Sequence, residues 1–375
     1  MSPRPRVLML TPDFPPKIGG VQLLAGRLAA SMTALEPVVL ALDTDGAYAH
    51  DASFPVPVER VGARDMPPRV RAALLNVKAL DVARRYRPQA ALSMHIVASP
   101  ATSAIRALGH MPSVQYFHAK EVGARPRLAA FAAAHSDAAV AISAYSGRVV
   151  EATGANIATL RIITPGVDVP DLAAIGEVLG ERPPTILTVA RLEERYKGHD
   201  VMIDALPAVL ESVPDARWVV VGEGTLRGEL EQRARERGVA DAVTFLGAVS
   251  EAERNARLRD ADVFAMPSRD PGPGQGGEGF GIVFLEASAY VKPVVAGNVT
   301  GTLDAVIDGE TGLLVDPTSP EAVAAAIVRL LRDRDLADRL GRAGRERALM
   351  SSWSRMTSLV EELLLELIAR RAAAR

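Results

Sequence analysis

The sequence predicts an α/β protein made of two doubly wound parallel-sheet domains, and three observations carry that prediction. The chain has 375 residues, too many for one ordinary core and comfortable for two domains of about 170–180 each. Short apolar runs alternate with longer helical patterns through each half. The alternation breaks at a polar, proline-containing stretch near 170–184 and then restarts. Strand-helix alternation of this kind implies parallel sheet with helices on both faces.

In the first half, "RVLML" (6–10), "PVVLAL" (37–42), "AALSM" (90–94), "SVQYF" (113–117) and "AAVAI" (138–142) read as buried strands. Helical periodicity lies between several of them, at 21–34 and 69–86. In the second half the strands are "TILTVAR" (185–191), "ARWVVVGEG" (216–224), "AVTFLG" (242–247), "DVFAMPS" (262–268) and "PVVAG" (293–297). The helices expected between them are 199–213, 225–238, 251–259 and 281–291. The expected domains are therefore 1–172 and 184–350, each Rossmann-like, joined at about 172–183. Both are expected to turn their strand ends, and so their ligand loops, toward a shared cleft. The tail "WSRMTSLVEELLLELIARRAAAR", within 352–375, reads as one long amphipathic helix.

Composition narrows the function. Hydrophobic residues make up 48% and charged residues 23%, an ordinary globular balance. The net charge of −2 argues against a nucleic-acid binder held by phosphate contacts alone. The charge is uneven, with 18 Lys/Arg against 14 Asp/Glu in residues 1–180 and 25 against 31 in residues 181–375. That asymmetry points the first half toward something anionic, a phosphorylated acceptor or a membrane surface. There is no cysteine, hence no disulfide, thiolate nucleophile or thiolate metal site. The six histidines lack H-E-x-x-H or comparable spacing, so no zinc site is expected. The apolar run near the N-terminus is too short for a signal peptide, and no stretch approaches the ~18 apolar residues that cross a bilayer. The expected location is cytoplasmic, with any membrane contact peripheral at the inner face.

The chemistry centres on "GQGGEGFGIVFLEASAY" (274–290). A glycine-rich loop that opens into an apolar helix suits phosphate, held on the backbone amides of Phe280, Gly281, Ile282 and Val283. Yet an acid stands on each side, Glu278 in the loop and Glu286 in the helix. A carboxylate accepts two hydrogen bonds, which suits the vicinal hydroxyls of a sugar. One acid then reads a transferred sugar and the other a nucleotide ribose, with phosphates between them. The plainer alternative makes Glu286 a surface residue, but its neighbours Phe284, Leu285, Ala287 and Ala289 are apolar.

Three further pieces join this stretch. In "VARLEERYKGHD", Arg191 and Lys197 leave a strand end six residues apart. A guanidinium and an ammonium together hold a diphosphate and neutralise it as it departs; otherwise they are two solvated charges beside Glu193 and Glu194. In "TPDFPPKIGGVQLLAGRLA", Gly19 and Gly20 precede a helix and either expose amides to an anion or simply turn the chain. In "YFHAKEVG", His118 follows a strand, as a satisfied structural imidazole or as a site residue. "GEGTLRG" (222–228) spaces its glycines wrongly for a dinucleotide fingerprint and follows the second strand of its domain, which argues against a nicotinamide dehydrogenase.

Together these pieces resemble the retaining nucleotide-sugar glycosyltransferases of GT-B fold, the group that includes bacterial phosphatidylinositol mannosyltransferases and sucrose synthase. The resemblance covers nearly the whole chain. It rests on the early Gly-Gly loop, the "R…KG" element and, above all, the paired acids with seven residues between them in "EGFGIVFLEA". "NVTGTLDAVIDGETGLLVDP" (298–317) is similar to the family's closing segment. "SSWSRM" resembles the start of its final helix, which crosses back to the first domain.

The resemblance implies that Arg191 and Lys197 bind the diphosphate with Gly19-Gly20 against it. Glu278 would contact the donor sugar, Glu286 the ribose and His118 the neighbourhood of the transferred sugar. Gly222 falls where the nucleobase is expected, near 222–224 and 246–250. Two departures stand out: the Arg-to-Lys spacing is one residue longer than the form most associated with the family, and Thr300 precedes Gly301 where many members have a second glycine.

The implied activity is transfer, with retention, of a hexose from GDP-mannose or a UDP-sugar to a hydroxyl of a lipid, glycan or small molecule. No metal or other cofactor is expected, since Arg191 and Lys197 do that work. A sugar-nucleotide epimerase, a phosphorylase and a non-catalytic sugar-nucleotide-binding protein remain as alternatives. Residues 59–87 carry eight Arg/Lys against three acids, either a basic helix for anionic lipid or a solvated face.

Overall fold

The computed structural model describes residues 4–62, 64–175, 182–272 and 274–374. The chain divides into two units. Unit 1 comprises residues 1–166, 274–276 and 353–375; unit 2 comprises 167–273 and 277–352. The linker expected at 172–183 includes residues 176–181, which lie outside the described residues.

Unit 1 holds seven strands: β1 (Arg6–Thr11), β2 (Glu36–Leu42), β3 (Val58–Val61), β4 (Ala90–Ser93), β5 (Ser113–Phe117), β6 (Ala138–Ala141) and β7 (Leu160–Ile162). They form one sheet in the order β3-β2-β1-β4-β5-β6-β7, every pairing parallel. Strands β4, β5 and β6 are buried along their whole length, which is why β4 and β6 read as unbroken apolar or small-residue runs rather than alternating ones; β5 interrupts its run with the buried Gln115. The edge strands β3 and β7, partly exposed, carry no such run and gave no sequence signal. Helix Trp353–Ala373 belongs to this unit. Its buried Glu361 accepts from the backbone amides of Thr33, Ala34 and Leu35 at 2.8, 2.7 and 3.0 Å, covering three donors just past helix Gly20–Ser31.

Unit 2 holds β8 (Thr185–Val189), β9 (Arg217–Val221), β10 (Val243–Gly247), β11 (Val263–Met266), β12 (Val294–Gly297) and β13 (Leu313–Val315). Their order is β10-β9-β8-β11-β12-β13, again all parallel. Trp218, Phe264 and Phe284 fill the core without exposure. Two connecting helices have their start written in the chain. Helix Glu251–Asp260 begins at Ser250, whose side chain accepts from the Glu253 amide, with acids in its first turn and arginines in its last. Helix Pro320–Arg332 begins at Ser319, with proline in its first turn.

In both sheets the chain order reverses beside the first strand, between β1 and β4 in unit 1 and between β8 and β11 in unit 2. Ligands of open α/β sheets bind at the carboxyl ends of strands at such a reversal.

Candidate active site

In unit 2 the loops after β8, β11 and β12 meet at that reversal. Past Val189 the chain carries Arg191, then a single 3-10 turn, Arg195–Lys197, before helix His199–Ser212. The Tyr196 carbonyl accepts from the Arg269 amide at 2.7 Å, which ties this loop to the one after β11. The Arg269 guanidinium also holds Asp200 at 2.7 Å. Lys197, thus fixed, ion-pairs with Glu278, and both side chains are 13% exposed. Burial works against the Lys197 ammonium, but Glu278 and the facing Tyr196 outweigh it and hold its pKa above the usual lysine range. Its ammonium also stands 5.2 Å from the Tyr196 ring centroid. Arg191 is 56% exposed and bonded to Glu194 at 2.8 Å.

Helix Ile282–Ala289 starts at Gly281, which has φ +90°. A side chain there would be strained and would place its Cβ 2.4 Å from the Phe284 ring, so glycine is required for the loop to turn into the helix. The first amides of a helix have no partner within it, and here they follow directly on Glu278 and the buried Phe280. One turn into the helix, Glu286, its side chain 13% exposed, meets Arg254 of helix Glu251–Asp260 at 3.0 Å. The loop after β12 closes on Glu278 from another side, with the Gly301 amide donating to its carbonyl at 2.9 Å. Thr300 adopts a left-handed φ of 54°, and its buried hydroxyl has no partner. Gly222, at the end of β9, has φ +141°, and its Cβ would stand 2.0 Å from the Ala190 carbonyl; this backbone approach admits only glycine.

Unit 2 therefore brings Lys197 and Glu278 into contact, with Arg191 on the loop before Lys197, Phe280 and Gly281 on the loop after Glu278, and Ile282 and Val283 opening the helix. Glu286 is engaged by Arg254, a residue the sequence reading missed. Nothing marks Arg254 in "EAERNARLRD", where every charge resembles a solvated helix face.

Unit 1 has its own polar cluster at the reversal between β1 and β4. Gly19 is the residue before helix Gly20–Ser31, and in the preceding loop Asp13 accepts from Gln22 at 2.8 Å. His118 follows β5 and is buried. Its Nε2 lies 3.0 Å from the Met94 carbonyl; a carbonyl only accepts, so Nε2 carries the proton. Burial lowers the His118 pKa and keeps the ring neutral. Its neighbour Glu121 accepts from the His118 and Ile96 amides at 3.1 and 2.9 Å and lies 2.9 Å from His95 Nδ1. Burial opposes the Glu121 charge, but His95 and the amides hold its pKa below the usual range. The His95 pKa is raised in turn: burial lowers it, and the Glu121 charge more than offsets that. His95 and Glu121 were not singled out in the sequence. Their pairing follows from the neighbouring positions of β4 and β5, which residue spacing does not reveal.

The basic stretch 59–87 is less free than its composition suggests. Arg60 pairs with Asp51, Arg64 with Asp43 and Asp45, Lys78 with Asp81, and Arg85 with Glu59. Arg69, Arg84 and Arg87 are exposed, as are Val70 and Val77 of helix Pro68–Tyr86. Among the described residues no helix is long and apolar enough to cross a membrane.

Comparison with known proteins places this geometry. The family described as glycosyl transferases group 1 matches residues 175–347. A GDP-mannose-dependent alpha-(1-6)-phosphatidylinositol monomannoside mannosyltransferase of Mycobacterium tuberculosis is 37% identical, across 91% of this chain and 93% of its own. The Mycolicibacterium smegmatis protein of the same name is 34% identical across 96% and 98%. Among solved structures, HepE of Anabaena in complex with UDP and glucose superposes with a TM-score of 0.80 at 20% identity, covering 97% of this chain and 100% of that one. Sucrose-phosphate synthase of Thermosynechococcus elongatus reaches 0.83 at 21% identity, covering 98% and 100%. These two share the GT-B fold expected for this chain.

Proposed function

The chain belongs to the group 1 glycosyltransferases and is a hexosyltransferase, and from that premise we propose that it moves mannose from GDP-mannose to a hydroxyl of a phosphatidylinositol mannoside, with retention at the anomeric carbon. One observation carries the choice of donor and acceptor: near-full-length identity of 37% to an enzyme named for both.

The residues support that reading. Lys197 and Arg191 hold the diphosphate, and the amides of Phe280, Gly281, Ile282 and Val283 add donors at the helix start. Glu278 takes hydroxyls of the transferred sugar and keeps Lys197 in place. Glu286 takes the ribose, and Gly222 lets the backbone pass close beneath the base. In unit 1 the amides at Gly19 and Gly20, at the start of helix Gly20–Ser31, suit a phosphate. His118, neutral and committed through Nε2 to Met94, is suited to positioning rather than to removing a proton.

The acceptor hydroxyl attacks the anomeric carbon on the face the diphosphate leaves, and a departing phosphate oxygen takes its proton. The chain contributes positioning and stabilisation of the charge growing on that phosphate. No metal is needed in this scheme, because Lys197 and Arg191 neutralise the leaving group. The acceptor is lipid-borne, so the chain works at an anionic membrane surface from the cytoplasmic side, with Arg69, Arg84 and Arg87 exposed toward it.

The test is a thermal-shift titration with GDP and UDP side by side. A ligand at 100 times its dissociation constant adds about 2.7 kcal/mol of stability. GDP is expected to raise the melting temperature and UDP to leave it nearly unchanged; the reverse order would contradict the donor assignment.

A further inference from the structure

Glu286 is a carboxylate with 13% of its side chain exposed, set near one cation and two further acids. Arg254 faces it from the adjoining helix at 3.0 Å, while Asp168 and Glu251 face it with like charge, and Tyr290 follows one turn along. Arg254 reaches Glu286 at a cost: its Nε is buried without a partner, and its Nη2 makes only a 3.2 Å bond to Asn255. A buried N–H donor left without an acceptor is costly to keep. The bond it does make is to Glu286 Oε1, and no hydrogen bond to Oε2 is made among the described residues. One oxygen is thus clamped and the other left with its lone pairs.

We propose that Arg254 is a positioning residue that keeps Glu286 ionised and oriented, so that its other oxygen can accept from the vicinal hydroxyls of a bound nucleotide's ribose. The proposal rests on the nucleotide-sugar reading given above. Burial pushes the Glu286 carboxyl above the usual carboxylate range; Arg254 pulls it back, and Asp168 and Glu251 push it further up. Without Arg254 the charges of Asp168 and Glu251 favour the neutral acid, which offers a weaker acceptor and an unwanted donor.

The test compares binding of GDP and of 2′,3′-dideoxy-GDP by calorimetry between pH 5.5 and 8.5, for the wild type, Arg254→Lys and Arg254→Met. Arg254→Gln replaces the Met variant if that one does not fold. The wild type is expected to prefer GDP at neutral pH and to lose the preference as pH falls through the Glu286 pKa. In Arg254→Met, or Arg254→Gln, the midpoint of that loss is expected to rise by about one pH unit or more, the usual effect of removing an opposite charge at contact distance. Arg254→Lys should stay near the wild-type midpoint. An unchanged midpoint in the uncharged variant overturns the role of Arg254. A wild type that binds GDP and its dideoxy analogue equally at every pH overturns the assignment of Glu286 to the diol. A wild type that binds neither strikes the nucleotide-sugar reading itself.

Discussion

Lys197 and Glu278 are ion-paired, though 81 residues separate them in the chain. Lys197 follows β8 and Glu278 follows β11, the strands on either side of the reversal in unit 2. The pair explains how an acid can stand within a phosphate-binding loop, since its charge is compensated before any ligand arrives.

Lys197→Ala should lower kcat by roughly 100- to 1,000-fold, the scale of one lost contact to a developing charge, and weaken GDP binding much less. Steady-state kinetics beside calorimetry separates the two, and equal losses in both would contradict the assigned role. The variant also leaves Glu278, only 13% exposed, without its cation, which costs stability. Adding Glu278→Gln should recover the melting temperature without recovering turnover.

Thr300 is a β-branched residue at φ 54°, a conformation it occupies only under strain, and its hydroxyl is buried without a partner. Thr300→Gly relieves both and gives up a buried methyl and some unfolded-state restriction. The net expectation is a gain of about 1 kcal/mol, read as a higher melting temperature. A lower one would show that Thr300 makes a stabilising contact that outweighs its strain.

His199 lies next to the site, buried beside Trp218 at a ring separation of 6.4 Å. Burial and the nearby Lys197 lower its pKa from 6.5 to about 4. The folded chain thus keeps this ring neutral between those values, whereas the unfolded chain protonates it. Below pH 6.5 the unfolded state binds more protons, so stability falls as pH drops toward 4 and is unaffected above about 7. The contribution is about 3 kcal/mol across that window. Urea unfolding of wild type and His199→Asn from pH 7.5 to 4 should show a shallower decline in the variant; parallel declines would contradict it.

How much of this was visible in the sequence depends on burial. The central strands β4 and β6 were legible because full burial leaves them only apolar or small residues, and β5 because its buried Gln115 stands among Val114, Tyr116 and Phe117. Glu278 and Glu286 stood out by their spacing across one loop and one helix turn, and Lys197 by its place after β8. The edge strands β3 and β7, and the three-residue β13, were not legible. Arg254 was hidden because a contact across 32 residues leaves no local pattern. The His95–Glu121 pair needed the order β1-β4-β5. The left-handed turn at Thr300 was unreadable because its residue type argues against that conformation.

The measurement that bears most directly on the account is release of GDP from GDP-mannose, with and without phosphatidylinositol monomannoside in vesicles. GDP is expected only when the acceptor is present, matched one for one by a lipid product carrying one more mannose in α linkage. Release of GDP at the same rate without acceptor, with no mannosylated lipid, would contradict it.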